Sequence, residues 1–362
     1  MSAQDMVAPE RRQRVSRPAP PWSPPMAVSI EDVARLANVS ISTVSRVINR
    51  RELVNEKTRA RVESAIRQLG YRPNAFARGL MLRRSEIVGL VLPDLHGEFY
   101  SEIIRGANAQ ARASGYNLVV SSATDGHDSR TLLNALEQRS LLDGVAVMVS
   151  EVTDRIQGVL ADFRLPFVML DGDVNGTPHD SVVIDQHCGA VALMRHLVER
   201  CGRRRIIFVG GLATNVDTIA RLAAYREVLA GAGLTPDPGD IHHLDYQYET
   251  AFRHASTHVR RWAGPGHAVF AANDEMAAGI LAAASAAGVA VPQDLAVVGF
   301  ADTRVAQMTR PPLTTVRVPM ARMGATAIEL LCRRIAEPQR SAERISLEPE
   351  LIVRASCGAA GA

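Results

Sequence analysis

Val39-Ser40-Ile41-Ser42-Thr43-Val44-Ser45-Arg46-Val47-Ile48-Asn49 is the stretch from which the rest of the chain can be read. Val44, Val47 and Ile48 recur at helical spacing and define an inward stripe, while Ser40, Ser42, Thr43, Ser45, Arg46 and Asn49 crowd the outer side. A merely solvated helix more often carries Glu and Lys. Short hydroxyl and amide groups beside an arginine suit phosphate oxygens and base edges. Upstream, Ser29-Ile30-Glu31-Asp32 fits a capping box opening a helix whose apolar side is Ile30, Val33, Ala34 and Ala37; Asn38 breaks it and Ser40 caps the next. Downstream, Asn55 can cap a third helix with Val62, Ile66 and Leu69 on one face and Gly70 as its stop. Three short helices around a tight turn predict a helix-turn-helix unit, although a small helical interaction domain would share the spacing.

Charge separates this unit from the rest. Residues 26–84 hold twelve basic and five acidic side chains, whereas residues 85–362 hold twenty-five and thirty-one. A basic module on an acidic body suggests a polyanion for the first part and something else for the second. The first 26 residues, with six prolines, four arginines and no apolar core segment, read as a disordered tail and not as an export signal. Apolar runs such as 87–92 and 277–284 fall far short of the roughly 20 residues of a membrane span. A soluble, cytoplasmic chain is expected. Cys188, Cys201, Cys332 and Cys357 are widely spaced, so the spacing implies reduced thiols with no disulfide or zinc framework.

From Glu86 onward short β-branched runs alternate with helical stretches. The runs are 87–92, 117–120, 145–149, 167–170, 182–184, 206–209, 268–271 and 296–299. This predicts parallel sheets covered by helices. Some 275 residues exceed one comfortable sheet, so two similar subdomains are expected, with the chain crossing near Asp185 and Pro319 and a ligand cleft between them.

Ile30-Glu31-Asp32-Val33-Ala34, the stretch 39–49, Lys57-Thr58-Arg59 and Gly70-Tyr71-Arg72-Pro73-Asn74-Ala75 together resemble the N-terminal signature of the LacI/GalR family of bacterial transcription regulators. The resemblance continues through Ile87-Val88-Gly89-Leu90-Val91-Leu92-Pro93, Ala272-Asn273-Asp274, Val297-Val298-Gly299-Phe300 and Pro311-Pro312-Leu313-Thr314-Thr315-Val316. It implies a helix-turn-helix domain over 27–73, a hinge helix and linker over 74–84, and a periplasmic-binding-protein-like α/β effector domain over 85–356, with tails at 1–26 and 357–362. It further implies a homodimer on a double-stranded DNA operator, with a small sugar-like effector in the cleft; pairing of dimers into a tetramer stays open, and the tail after Ser356 shows no heptad repeat that would favour it. Helix 40–49 would enter the major groove with Ile41, Ser42 and Arg46 at base edges. Ser40, Thr43, Ser45, Asn49 and the amide of Asn55 would sit on phosphates. Leu80 falls where the family wedges a leucine into the minor groove. Gly79 beside it weakens a helix by about 1 kcal/mol relative to alanine, which predicts an unusually DNA-dependent hinge.

For the cleft, the resemblance assigns Phe99 and Tyr100 to the ligand ring and Asp171, Arg221, Asn273 and Asp274 to its polar groups, a set suited to sugar hydroxyls. Asp125 reads more simply as a loop cap and Phe270 as core. The family commonly has an aspartate directly after Val-Gly-Phe, where this chain has Ala301-Asp302. Either Asp302 takes over, or the effector has fewer hydroxyls there, or ordinary sugar binding is lost. A purine or phosphosugar effector stays open, since Phe99 and Tyr100 could also stack on a flat ring. His254 and His258 have a zinc-capable i,i+4 spacing, but without a nearby third ligand they read as surface histidines. Gly210-Gly211 is no phosphate-binding fingerprint, and no catalytic constellation or cofactor motif appears. Rival readings are a solute-binding transport component and an α/β enzyme.

Overall fold

The computed structural model describes residues 28–49, 54–71, 85–122, 142–148, 158, 160, 163–172 and 178–359. The tail at 1–26, the 74–84 segment with Gly79 and Leu80, and Asp125 lie outside the described residues. The chain divides into two compact units, Met1–Met81 and Leu82–Ala362.

The first unit holds α1 (Ile30–Ala37), α2 (Ile41–Asn49) and α3 (Glu56–Leu69). Both halves of the Ser29/Asp32 capping box form, and Asn38 ends α1 at φ 50° in the left-handed region. Ser40 Oγ accepts from the Thr43 amide at 3.2 Å, and Asn55 Oδ1 accepts from the Thr58 amide at 2.9 Å. These caps satisfy amides that have no partner within the helix. Val33, Ala34, Ala37, Val44, Val47, Val62 and Ala65 form the core. Ala65 joins Val62 at the centre, while Ile66 and Leu69 lie at its edge. The apolar face of α3 is therefore rotated slightly from the one expected.

The second unit begins with β1 (Ile87–Leu92), α4 (Gly97–Ala113), β2 (Asn117–Ser122), β3 (Gly144–Met148), β4 (Phe167–Leu170) and β5 (Asp180–Ile184). The chain crosses at Asp185 into α5 (Gln186–Arg195), whose last turn continues as a π-turn (His196–Arg200). There follow β6 (Arg205–Gly210), α6 (Val216–Gly231), β7 (Ile241–His243), α7 (Tyr248–Trp262), β8 (His267–Ala271), α8 (Asp274–Ala287), β9 (Ala296–Val298), α9 (Arg304–Met308) and β10 (Thr315–Arg317). After Pro319 come α10 (Met320–Ala336), β11 (Arg344–Leu347) and β12 (Glu350–Ile352).

One parallel sheet runs β11-β5-β4-β3-β1-β2 and the other β7-β6-β8-β9. β1, β3 and β5 are almost wholly buried, as expected of strands covered on both faces, whereas edge strand β2 alternates. The two expected crossings occur, and there is a third: β11 pairs with β5 in the first sheet, yet β12 pairs antiparallel with β10. The chain therefore returns to the second lobe just after β11. The tail expected from 357 also starts later, because Cys357 is fully buried in the 3-10 turn Ala355–Cys357.

α4 and α10 meet backbone to backbone. A Cβ on Gly106 would overlap the Ala321 carbonyl, and one on Gly324 the Ile103 carbonyl. Asp180, buried at the start of β5, accepts from Arg334 Nε at 2.8 Å, Arg340 Nη1 at 3.0 Å and the Glu343 amide at 2.8 Å. This cluster fastens β5, α10 and the approach to β11, and thereby the lobe that presents the first turn of α4.

Candidate nucleic-acid interface and ligand cleft

In α2 the packing of Val44 and Val47 fixes which side faces out: Ile41 is 46% exposed, and Ser40, Ser42 and Arg46 are exposed beside it. Ser40 Oγ lies 2.8 Å from both Ser42 Oγ and Thr43 Oγ1, forming a small hydroxyl network. Ser45 and Thr43 are half-buried, and the side chain of Asn49 lies outside the described residues. A shallow groove of about 330 Å³ between α2 and the start of α3 is lined by Ser40, Thr43, Arg46, Asn55, Thr58 and Arg61. It unites four of the expected residues and adds Thr58 and Arg61, which sequence reading missed. Their signal was the i,i+3 spacing behind a capped helix start. Hydroxyls, two guanidinium groups and a helix N-terminus form a donor surface suited to phosphate. The Asn55 carboxamide oxygen is already committed to its cap, leaving its amide groups as the available donors.

The cleft is built differently. Arg221, only 6% exposed, donates from Nη2 to Gln186 Oε1 at 2.8 Å and from Nη1 to the Ala272 carbonyl at 2.6 Å. It lies 3.4 Å from Asp217 and holds its guanidinium carbon 4.0 Å over the Phe300 ring. Asp171 directly follows β4 at φ 51° and accepts from the Ile184 amide and from Gln186 Nε2, each at 3.1 Å. Burial, reinforced by the charge of Asp217, pushes the Asp171 carboxyl up to about 7 against the pull of Arg221 and Gln186. Burial raises Asp217 as well, with Arg221 opposing. Phe99 and Tyr100 pack edge to face at 5.2 Å on the first turn of α4. Burial first, then the carboxylates of Asp94 and Asp217, push the Tyr100 hydroxyl up to about 12. Tyr246 bonds Thr218 Oγ1 at 2.7 Å and donates to Asn215 Oδ1 at 2.9 Å, and its ring lies where a Cβ on Gly211 would be. The Gly210-Gly211 pair thus makes room for an aromatic ring.

Asp171, Arg221, Phe99 and Tyr100 are therefore drawn to one cleft. Gln186, Asp217, Tyr246 and Phe300 join them without having been expected. The Asp217/Arg221 i,i+4 pair was legible in the sequence; Gln186 and Tyr246 come in only through the fold. Two expected ligand groups, Asp274 and Asp302, face the fold instead, which corrects their assignment, and half-buried Asn273 serves the fold as well. Asn273 caps α8 by accepting from the Met276 amide at 2.9 Å, and donates to the Tyr246 carbonyl at 2.9 Å. Asp274 accepts from the Thr303 amide and from the Thr315 hydroxyl, at 2.7 and 2.6 Å. Burial lifts its carboxyl to about 6, against those bonds. Asp302, its side chain 3% exposed, is held by Arg317 at 2.8 Å and Arg354 at 2.6 Å, so it does not replace the polar group missing at Ala301. Phe270 is core, as expected.

At the cleft mouth the lobes touch. Glu98 of α4 accepts from the Arg304 amide at 2.7 Å, at the first residue of α9. His254 and His258 are half-buried rather than surface residues, stacked at 4.3 Å with His242 and Trp262 alongside. Among the described residues no helix is long and apolar enough to cross a membrane.

Residues 29–74 match the family of bacterial regulatory proteins termed lacI, and residues 194–357 match a periplasmic binding protein-like domain. The ribose operon repressor of Escherichia coli (strain K12) is 33% identical over 335 residues, covering 91% of this chain and 99% of that protein. Among solved structures, the complex of transcriptional regulator CelR with cellobiose is 33% identical with a TM-score of 0.69. The lac repressor dimer bound to operator and the anti-inducer ONPF is 27% identical with a TM-score of 0.81. Each of these two structures covers 91% of this chain and is itself covered to 99%. The named relatives are regulators of transcription, neither enzymes nor transport components.

Proposed function

Since the chain belongs to the LacI family of bacterial regulatory proteins, we propose that it is a cytoplasmic repressor that binds a pseudo-palindromic operator as a homodimer and responds to a small polyhydroxyl effector. The observation that carries the DNA half is the packing of α2, which buries Val44 and Val47 and leaves Ile41, Ser42 and Arg46 exposed. Arg46 bridges guanine O6 and N7, Ile41 meets a thymine methyl, and Ser42 completes the base contacts. Ser40, Thr43, Ser45, Asn49 and the amide of Asn55 engage phosphates, and Thr58 and Arg61 extend that row. The 74–84 hinge brings Leu80 to the minor groove. Two-fold symmetry requires matched half-sites.

For the effector, Asp171 and Asp217 act on one cation, Arg221, that is already partnered, and Asp94 adds its negative charge at Tyr100. An anionic sugar phosphate would meet repulsion there, whereas hydroxyl groups can donate to the carboxylates while a ring stacks on Phe99 and Tyr100. A neutral sugar or polyol is favoured over a phosphosugar or purine. Occupancy alters closure of the two lobes, and thereby operator affinity. A thermal-shift panel of sugars, polyols, sugar phosphates and purines tests this. A neutral polyol at 100 times its dissociation constant should add about 2.7 kcal/mol to the bound state, and the response should vanish in Asp171→Ala. A response confined to phosphorylated compounds overturns the charge argument.

A further inference from the structure

Away from the cleft, two thiols and an imidazole converge from two stretches of chain. His196 Nε2 lies 3.3 Å from Cys357 Sγ and 3.3 Å from Cys201 Sγ, and all three atoms fall within 4.8 Å of one another. We propose that His196, Cys201 and Cys357 form a binding site for a thiophilic d10 cation, zinc, with water as the fourth ligand.

The spacing is that of a first coordination shell. With zinc–sulfur and zinc–nitrogen bonds of about 2.3 and 2.0–2.1 Å, tetrahedral neighbours lie roughly 3.5 Å apart. Two thiolates and an imidazole favour zinc over magnesium or calcium, which take oxygen ligands. The two thiol protons leave to solvent on binding, and the two thiolates balance the charge of the ion.

The backbone builds the site rather than leaving it to chance. His196 opens the π-turn and the Cys201 amide bonds back to the His196 carbonyl at 3.0 Å. The wider winding brings residues five apart onto one side, where α-helical winding would splay them, and such turns recur at functional sites. Cys357 is fully buried, and its carbonyl accepts from Arg203 Nη2 at 2.8 Å. Next to it, Ser356 bridges the Val297 carbonyl at 2.6 Å and the Thr314 amide at 2.8 Å. The Cys357 ligand is thus fixed against the second sheet. Half-buried Cys201 leaves an approach for the ion and for its water. Sequence spacing gave no sign of this set, because Cys357 arrives from the other end of the chain.

The site grips the far end of α5, about 15 Å along the axis from Gln186, the residue that holds Arg221 and Asp171 in the cleft. The test titrates cobalt(II), then zinc(II), into the reduced, chelator-treated full chain. One cobalt per chain is expected, with thiolate-to-cobalt charge transfer and the visible bands of tetrahedral cobalt. Zinc should abolish these bands and raise the melting midpoint. His196→Gln and Cys201→Ser, with operator binding as the check on folding, should each lose the spectrum, while Cys188→Ser and Cys332→Ser should keep it. No charge-transfer band, a band that survives Cys201→Ser, or a Cys201–Cys357 disulfide forming in place of metal uptake overturns the proposal.

Discussion

The reading helix and the cleft use polar side chains in opposite ways. α2 keeps Ser42 and Arg46 exposed to water over a small apolar core, with Ser42 bonded only to the neighbouring Ser40 hydroxyl among the contacts described. The cleft ties Asp171, Asp217 and Arg221 into one charge set, with Arg221 in contact with Asp217 and linked to Asp171 through Gln186, so that the cation offsets part of the cost of burying the carboxyls. A substitution in the first region should alter binding and leave stability alone, whereas one in the second should alter both.

Arg221→Ala puts the largest weight on this difference. Removing one member of a buried charge set costs about 3–5 kcal/mol, which for a unit of this size lowers the melting midpoint by roughly 10 °C. Differential scanning calorimetry that found the midpoint unmoved would show that the cleft charges are as independent as those of α2. A subtler consequence concerns pH. Asp171 ordinarily ionises near 3.8 but here near 7, so between these values the native state holds a proton that the unfolded chain has released. Its contribution is full below the ordinary value and is lost as pH rises through about 7. Urea unfolding of the effector-free protein should therefore give a stability that declines across this window, and Asp171→Asn should flatten the decline. Asp274, raised to about 6, leaves a residual slope of the same sign. An identical slope in the variant breaks the argument.

On the reading helix, Arg46→Ala should weaken operator binding by about 1–3 kcal/mol and relax the preference at a single base position, without shifting the melting midpoint. Mobility-shift titration against operator variants checks both. Arg61→Ala, on the groove that α2 shares with α3, should instead weaken all DNA sequences alike and reduce the salt dependence of binding by about one ion. A base-specific loss at Arg61 would move it from the phosphates to the base edges.

The same contrast explains what the sequence disclosed. The caps at Ser29, Ser40 and Asn55 and the inward Val44 and Val47 are local patterns, and each formed where its spacing placed it. Long apolar strands such as Ile87–Leu92 were equally plain, but β7, β10 and β12 are three residues each, too short for any periodicity. The third crossing was hidden with them. In the cleft, the family resemblance pointed to Asp171 and Arg221, but it pointed equally to Asn273 and Asp274, and to Asp302 as a replacement for the missing aspartate. A carboxylate that binds a ligand and one that binds Arg317 and Arg354 look alike until the fold says which partner arrives.

The smallest expected effect falls at the contact between the lobes made by Glu98. Glu98 caps the first amide of α9 from the opposite lobe, with the Arg304 side chain 3.8 Å away. A carboxylate at a helix start contributes about 0.3–1 kcal/mol, and here it contributes only while the lobes are this close. Glu98→Gln keeps the shape and removes the charge, so it should destabilise the closed arrangement alone. By linkage, a bias of that size shifts the balance between two lobe arrangements roughly two- to fivefold. It should appear in the ratio of operator affinities measured without and with saturating effector, while α2 and the intrinsic operator contacts stay as they are. If both affinities fall by the same factor and the ratio holds, Glu98 supports the fold as Asp302 does, and closure is governed by the buried set around Arg221.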